Sequence, residues 1–167
     1  MGSETRASLM KKVTLENYAA DRYYPRIVAA VAARLQLAGF VAPIDVFVSM
    51  GLLEQRHVDD WRRGRVPYLE KVIKCNLAKA GRILRILRFH AHDLNLLPRT
   101  TAYRRWARGP KVPLRFSKSG DHKIEEAYSR HFVMPVRRRR AKEWGGSETR
   151  CRPVPEPEAD HAADGVS

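Results

Sequence analysis

The densest run of positive charge lies between residues 99 and 118, which hold seven Lys or Arg residues and no Asp or Glu. Aromatic residues, Tyr103, Trp106 and Phe116, are interleaved with these cations. Lys and Arg neutralise phosphates, threonine hydroxyls bond to them, and aromatic rings stack on bases or pack beneath the surface. The run therefore predicts a nucleic-acid-binding surface, formed by Arg99, Thr100, Thr101, Arg104, Arg105, Arg108, Lys111, Arg115 and Lys118.

A second set of cations follows helical spacing over residues 67–94, with Pro67 suited to a first helical turn. At about 100° per residue, the apolar residues share one broad side. We expect this helix to be the spine of the protein, so that a charge at Leu77 or Leu84 unfolds it. The apolar side holds Leu69, Val72, Ile73, Leu77, Ala80, Ile83, Leu84, Leu87 and Ala91, and the opposite side carries Lys71, Lys74, Arg82 and Arg85.

A third basic cluster consists of four consecutive arginines close to the C-terminus, Arg137, Arg138, Arg139 and Arg140. In a flexible arm such a run can enter a minor groove or follow phosphates. The chain beyond it is acidic and could shield the arginines when nucleic acid is absent. The alternative interpretation is a solvated chain end with no partner.

Two stretches have the order and spacing of predicted helices that are typical of a helix-turn-helix. In the first, predicted helices over residues 44–50 and 55–63 flank a turn at Gly51, with Val58 and Trp61 on the inner side of the second helix. In the second, Asn95 would take the turn before a helix over residues 100–107. The chain thus resembles, in a generic way, small basic bacterial proteins with helix-turn-helix-like segments. The acids near the start of helix 55–63 oppose phosphate contact, and an ordinary helical corner is the alternative.

The remaining pattern is also mainly helical. Helical spacing begins at Leu15, breaks near Pro25, restarts there and stops at Gly39. Asp121 can cap a helix over residues 122–132, and residues 113–117 are the single short extended stretch. We expect a mainly α, small helical domain over residues 14–133, built around the long amphipathic helix. A flexible N-terminus, 1–13, and a disordered tail, 134–167, flank it.

Composition narrows the classes of function. The chain has two cysteines, which cannot form a disulfide framework, and no apolar run long enough to span a membrane, so we expect a cytoplasmic protein. His90 and His92 are two residues apart and would not share a helical face. Scattered histidines and Glu125 with Glu126 show no pattern typical of a catalytic or metal site. We expect no enzyme activity, no metal and no cofactor.

The formal net charge of +14 favours a phosphate-rich partner. The leading interpretation is a non-enzymatic DNA-binding protein, regulatory or linked to mobile DNA. RNA binding is the nearest alternative, because nothing in the sequence separates the two. An adaptor for an acidic protein, a peripheral protein on anionic membrane, and a basic surface that serves only solubility remain open.

Overall fold

The computed structural model describes residues 11–135 and shows a helix-rich fold with a small antiparallel sheet. The mainly α prediction is thus confirmed in its coarse form, while an all-α fold is wrong. Within the described range the α-helices are α1 (Tyr24–Ala38), α2 (Pro43–Ser49), α3 (Gln55–Arg62), α4 (Leu77–Asp93) and α5 (His122–Ser129). The strands are β1 (Phe40–Val41), β2 (Leu97–Thr100) and β3 (Arg130–Val133).

Proline and glycine set the bounds of the first helices. Pro25 lies in the first turn of α1, and Gly39 ends that helix with φ 72°, its N–H donating to the Leu35 carbonyl at 2.9 Å. The helix predicted from Leu15 is absent, and a 3₁₀ turn over Tyr18–Ala20 replaces it. The Asn17 side chain accepts from the Thr14 N–H at 2.9 Å, so a local side-chain bond competes with helix formation here.

The long helix is shorter than its sequence pattern predicted, because it begins at Leu77 and not near Pro67. The Asn76 side chain accepts from the Lys79 N–H at 2.8 Å and caps it. Upstream N–H groups bond to other segments: those of Leu69 and Glu70 donate to the carbonyls of residues 115 and 116, at 3.2 and 2.9 Å. Tertiary partners therefore take the hydrogen bonds that a longer helix would have used.

One side of α4 builds the core, but not the whole side that the spacing predicted. The fully buried residues are Ala80, Ile83, Ile86, Leu87 and Ala91. Leu77 is 63% exposed and Leu84 is half-buried, so the expectation that a charge at Leu77 unfolds the protein is wrong. The first turn of α4 projects beyond the core that covers its later turns.

The helix predicted over residues 100–107 is absent. Asn95 does take the left-handed turn, with φ 55°, but the chain then forms β2, which pairs antiparallel with β3. The strand order is β1-β3-β2, so β3 is central. β3 follows α5 at once, and the predicted helix over 122–132 therefore ends at Ser129. Asp121 caps its start as predicted, accepting from the N–H of Lys123 at 3.0 Å.

An aromatic cluster joins α2, α3 and α5 through the ring of Phe116. The Trp61 ring of α3 lies 5.1 Å from Phe116 between centroids, and Phe116 stacks on Tyr128 of α5 at 5.4 Å. Phe47 of α2 completes the group at 5.9 Å from Tyr128. Burial of such rings contributes most of the apolar free energy of a small domain.

The predicted ends of the chain fall almost wholly outside the described residues. This applies to the N-terminus before residue 11, to the tail after residue 135, and to Arg137, Arg138, Arg139 and Arg140 within it. The domain bounds of 14–133 stay a prediction.

Candidate nucleic-acid interface

Residues 101–118, here called the basic loop, form two extended arms. The Arg105 N–H donates to the Val112 carbonyl and the Leu114 N–H to the Tyr103 carbonyl, each at 2.9 Å. Arg104 and Pro113 are paired across the arms as an isolated antiparallel bridge. Gly109, with φ 99°, lies in the turn between them. The cations of this stretch are therefore displayed on a hairpin-like loop and not on a helix.

Buried contacts fix the base of the loop. Tyr103 and Phe116 are buried, and their centroids lie 5.6 and 5.1 Å from that of Trp61. The Trp61 indole N–H donates to the Arg115 carbonyl at 2.8 Å. The Glu125 carboxylate accepts from the Ser117 N–H and hydroxyl, at 2.8 and 2.7 Å. The arms are thus anchored on α3 and α5, which holds the tip in a defined position.

Trp106 is the exposed aromatic residue of the loop. It is 54% exposed, whereas Tyr103 is buried, so these two rings do not form one buried helical face. The backbone N–H of Trp106 donates to the backbone carbonyl of Arg62 at 2.7 Å. The Arg62 guanidinium lies 4.3 Å from the Tyr103 centroid and 5.3 Å from that of Trp106. A held indole ring beside a cation is a stacking platform for a base.

Arg62 was not predicted from the sequence as a site residue. Burial lowers the pKa of the Arg62 guanidinium, and the electrostatic interaction with the Tyr103 hydroxyl opposes that shift. An arginine stays protonated under ordinary conditions, so its charge is retained among the rings. Its position directly after Trp61 was the available signal, but only the fold brings Tyr103 and Trp106 to it.

Most of the predicted cations in and next to the basic loop are exposed and unneutralised. Arg99 and Thr100 are exposed on β2, and Thr101 is half-buried. Six side chains have no carboxylate oxygen within 4 Å among residues 11–135. They are Arg99, Arg104, Arg108, Lys111, Arg115 and Lys118.

Arg105 is different from its neighbours, and its prediction as a free phosphate contact is not supported by its environment. Its side chain is half-buried, and its buried Nε has no hydrogen-bond partner among residues 11–135. It packs over Gly64, where an added Cβ would lie 2.4 Å from its Cδ. Gly64 has φ 78°, so both its conformation and this close approach favour glycine. Arg105 therefore supports the loop from beneath.

The cations predicted on one helical face are separated. Lys71 and Lys74 precede α4, and Lys74 forms an ion pair with Glu54. Arg82 lies on α4 with its Nε 2.5 Å from the Asp21 carboxylate, and Arg85 is exposed one turn later. The continuous basic face expected on one helix is thus wrong, because residues 67–76 are not helical.

The first helix-turn-helix-like stretch does fold as two helices, α2 and α3, joined through Gly51 at φ 70°. Val58 and Trp61 point into the core as predicted. Glu54 precedes α3 and pairs with Arg56 and Lys74. Reading of a DNA groove by α3 stays a prediction. The second helix-turn-helix-like stretch, from Ala91 to Trp106, lacks its second helix.

The histidines and carboxylates of the described residues do not gather into a site. Residues 11–135 contain no group of three or more His, Cys, Asp or Glu side chains placed to hold a metal ion. His90 is buried and His92 is exposed, as expected for residues two apart on a helix. None of the helices described is both long and apolar enough to cross a membrane. The cytoplasmic location stays a prediction.

Comparison of the chain with protein-family models, curated proteins and solved structures gives no match.

Proposed function

We propose that this protein binds nucleic acid without catalysing a reaction, and that the basic loop is its main contact surface. Exposed arginines and lysines around the loop contact phosphates, and Trp106 stacks on a base. The observation that carries this proposal is the exposed indole ring beside Arg62, on a loop whose exposed cations have no carboxylate oxygen within 4 Å among residues 11–135. DNA is the leading partner.

RNA or single-stranded DNA is the second candidate, and Trp106 is the observation that favours it. Stacking on an exposed indole needs an unpaired base, whereas duplex DNA hides its base faces. A duplex would be held through phosphates alone unless a base is extruded. The relative affinity for duplex and single strand therefore reports how Trp106 is used.

The test replaces Arg104, Arg108 and Lys111 together with alanine. All three side chains are exposed and have no carboxylate partner in the described residues, so folding should be preserved. We expect affinity to fall for labelled duplex DNA, single-stranded DNA and RNA of one sequence, measured by fluorescence anisotropy. The slope of log K against log[salt] on duplex DNA should become shallower by about 0.9 for each phosphate that the variant no longer neutralises.

The matched control replaces Arg56, Arg88 and Lys123, which are exposed cations outside the loop. It removes the same charge from other parts of the surface. Affinities that fall equally in both triple variants would show a diffuse charge effect and exclude the loop as the binding surface. Wild-type protein that binds none of the three nucleic acids at low salt would exclude the function.

A further inference from the structure

A basic cavity of about 580 Å³ opens beside the first turns of α4, apart from the basic loop. The segment before the 3₁₀ turn at Tyr18–Ala20 forms one wall, and the start of α4 forms another. This volume is in the range of small-molecule sites. Its lining contains six basic side chains, Lys11, Lys12, Arg22, Lys79, Arg82 and Arg85.

Several of these cations are held in place by buried partners. Arg82 pairs with the buried carboxylate of Asp21 at 2.5 Å and donates to the Lys11 carbonyl at 2.8 Å. The buried Tyr23 ring contacts two more of these cations. The Arg22 guanidinium lies 4.7 Å and the Lys79 ammonium 5.1 Å from the ring centroid. Side chains fixed in this way lose less entropy when a ligand binds.

Within the described residues, one carboxylate, that of Asp21, pairs with a cation of the cavity. Asp21 pairs with Arg82, and the other five cations have no carboxylate oxygen within 4 Å in the part of the chain that the structure describes. Like charges that share a cavity repel each other, and an anion removes that repulsion. One singly or doubly charged anion would leave most of this charge unbalanced, so a ligand with several negative charges fits best.

Gly81 leaves the backbone of α4 uncovered at this cavity. It lies inside α4, where glycine is less stable than alanine, yet no atom lies within 4 Å of the place where its Cβ would be. No protein neighbour in the described residues therefore requires glycine. Gly81 lines the cavity, so its bare backbone lets a ligand lie against the helix.

We propose that this cavity binds a ligand bearing two or more phosphate groups. The phosphates contact Lys79, Arg85 and Arg22, while N–H groups at the start of α4 add to the positive potential. The source is either a free polyphosphorylated molecule or the backbone of a nucleic acid. The site does not include the basic loop, and the inference does not rest on the proposed function.

The test uses the full chain with inorganic triphosphate as the first probe, titrated by calorimetry. Two variants alter the cavity in different ways. Lys79→Ala with Arg85→Ala removes charge, and Gly81→Leu adds bulk without changing charge, at a position where a Cβ would meet no atom of the described residues. We expect each to weaken triphosphate binding by about tenfold or more. Arg56→Ala with Arg63→Ala is the charge-matched control and should bind as the wild type does, because neither exposed arginine lines a cavity that Gly81 or Arg85 lines.

A duplex oligonucleotide is the second probe and separates the two sources. Loss of triphosphate binding alone in the cavity variants identifies a free ligand. Loss of oligonucleotide binding in both variants, when the wild type does not bind triphosphate, identifies the backbone. Unchanged affinity for both probes in both cavity variants overturns the proposal, because neither the loss of two cations nor the added bulk at residue 81 would then affect binding. Replacement of Arg104, Arg108 and Lys111 tests the basic loop separately.

Discussion

Trp61 and Trp106 show how one residue type takes two roles within a single aromatic group. Trp61 is fully buried, packs against Phe116 and donates through its indole N–H, whereas Trp106 is 54% exposed. Buried rings stabilise the fold, and an exposed ring beside a cation is available to a partner. The two tryptophans should therefore differ when each is truncated.

We expect Trp106→Ala to weaken binding of single-stranded nucleic acid by about 1–3 kcal/mol, the contribution of one stacked base. Its free energy of unfolding should stay close to that of the wild type, because the ring is exposed. Trp61→Ala should instead cost about 3–5 kcal/mol of stability. Anisotropy and urea denaturation measure the two effects. Undiminished single-strand affinity in Trp106→Ala would remove stacking from the proposed function.

His131 makes stability depend on pH. Burial lowers the pKa of its imidazole, Arg62 acts in the same direction, and Asp45 opposes both. Its Nε2 lies 2.6 Å from the Tyr103 hydroxyl. In the unfolded chain histidine titrates at about pH 6.5, so below that pH the unfolded state binds more protons than the folded state. The stabilisation is complete above that pH and is lost as the pH falls towards the folded pKa.

We therefore expect the free energy of unfolding to decrease between about pH 7 and pH 5, and His131→Gln to make this decrease smaller. Urea denaturation at a series of pH values measures the free energy of unfolding of the wild type and of the His131→Gln variant. The comparison cancels the contributions of other groups, among them His90, whose pKa burial also lowers. Parallel pH profiles for the two proteins would contradict the assignment.

At the scale of elements, local signals predicted the helices that end at glycine or begin at proline or aspartate. They failed over residues 67–76, where apolar spacing continued but the backbone bonds to residues 115 and 116. They also failed for β2, whose partner strand β3 lies about thirty residues later in the chain. Such pairings depend on distant segments, which no local pattern contains.

Asn76 tests where α4 begins. We expect Asn76→Ala to lower the free energy of unfolding by about 0.5–2 kcal/mol, because the Lys79 N–H would lose its acceptor. If the helix began near Pro67 instead, residue 76 would be internal and alanine would stabilise it. Chemical denaturation of the wild type and of the Asn76→Ala variant shows whether the free energy of unfolding falls or rises. Asn76→Asp is the conservative control, since aspartate also caps.

At the scale of the whole molecule, residues 11–135 form two basic surfaces that are supported in different ways. The basic loop rests on an aromatic cluster and displays its cations outward. The cavity beside α4 brings six cations together and holds three of them through Asp21 and Tyr23. An extended polymer fits the first surface, and a compact polyanion fits the second.

Salt dependence measures how many cations the polymer engages. Six cations in and next to the basic loop have no carboxylate partner among residues 11–135. If all six contact phosphates, log K on duplex DNA should fall against log[salt] with a slope of about −5. Replacing three of them should bring the slope to about half that value. Anisotropy titrations at several salt concentrations give both slopes. A slope near zero would mean that phosphate neutralisation does not drive binding.

The sequence by itself determined the basic character, the helix-rich class and the bounds of α1, α2 and α3, because these depend on composition and on residues a few positions apart. Only the tertiary structure decided that residues 101–118 form a loop, that Leu77 is exposed, and that Arg62 lies beside Trp106. It also brought Lys11, Arg22 and Lys79 around one cavity. Those features arise from pairings between distant segments, whose free energy appears only when the chain is folded.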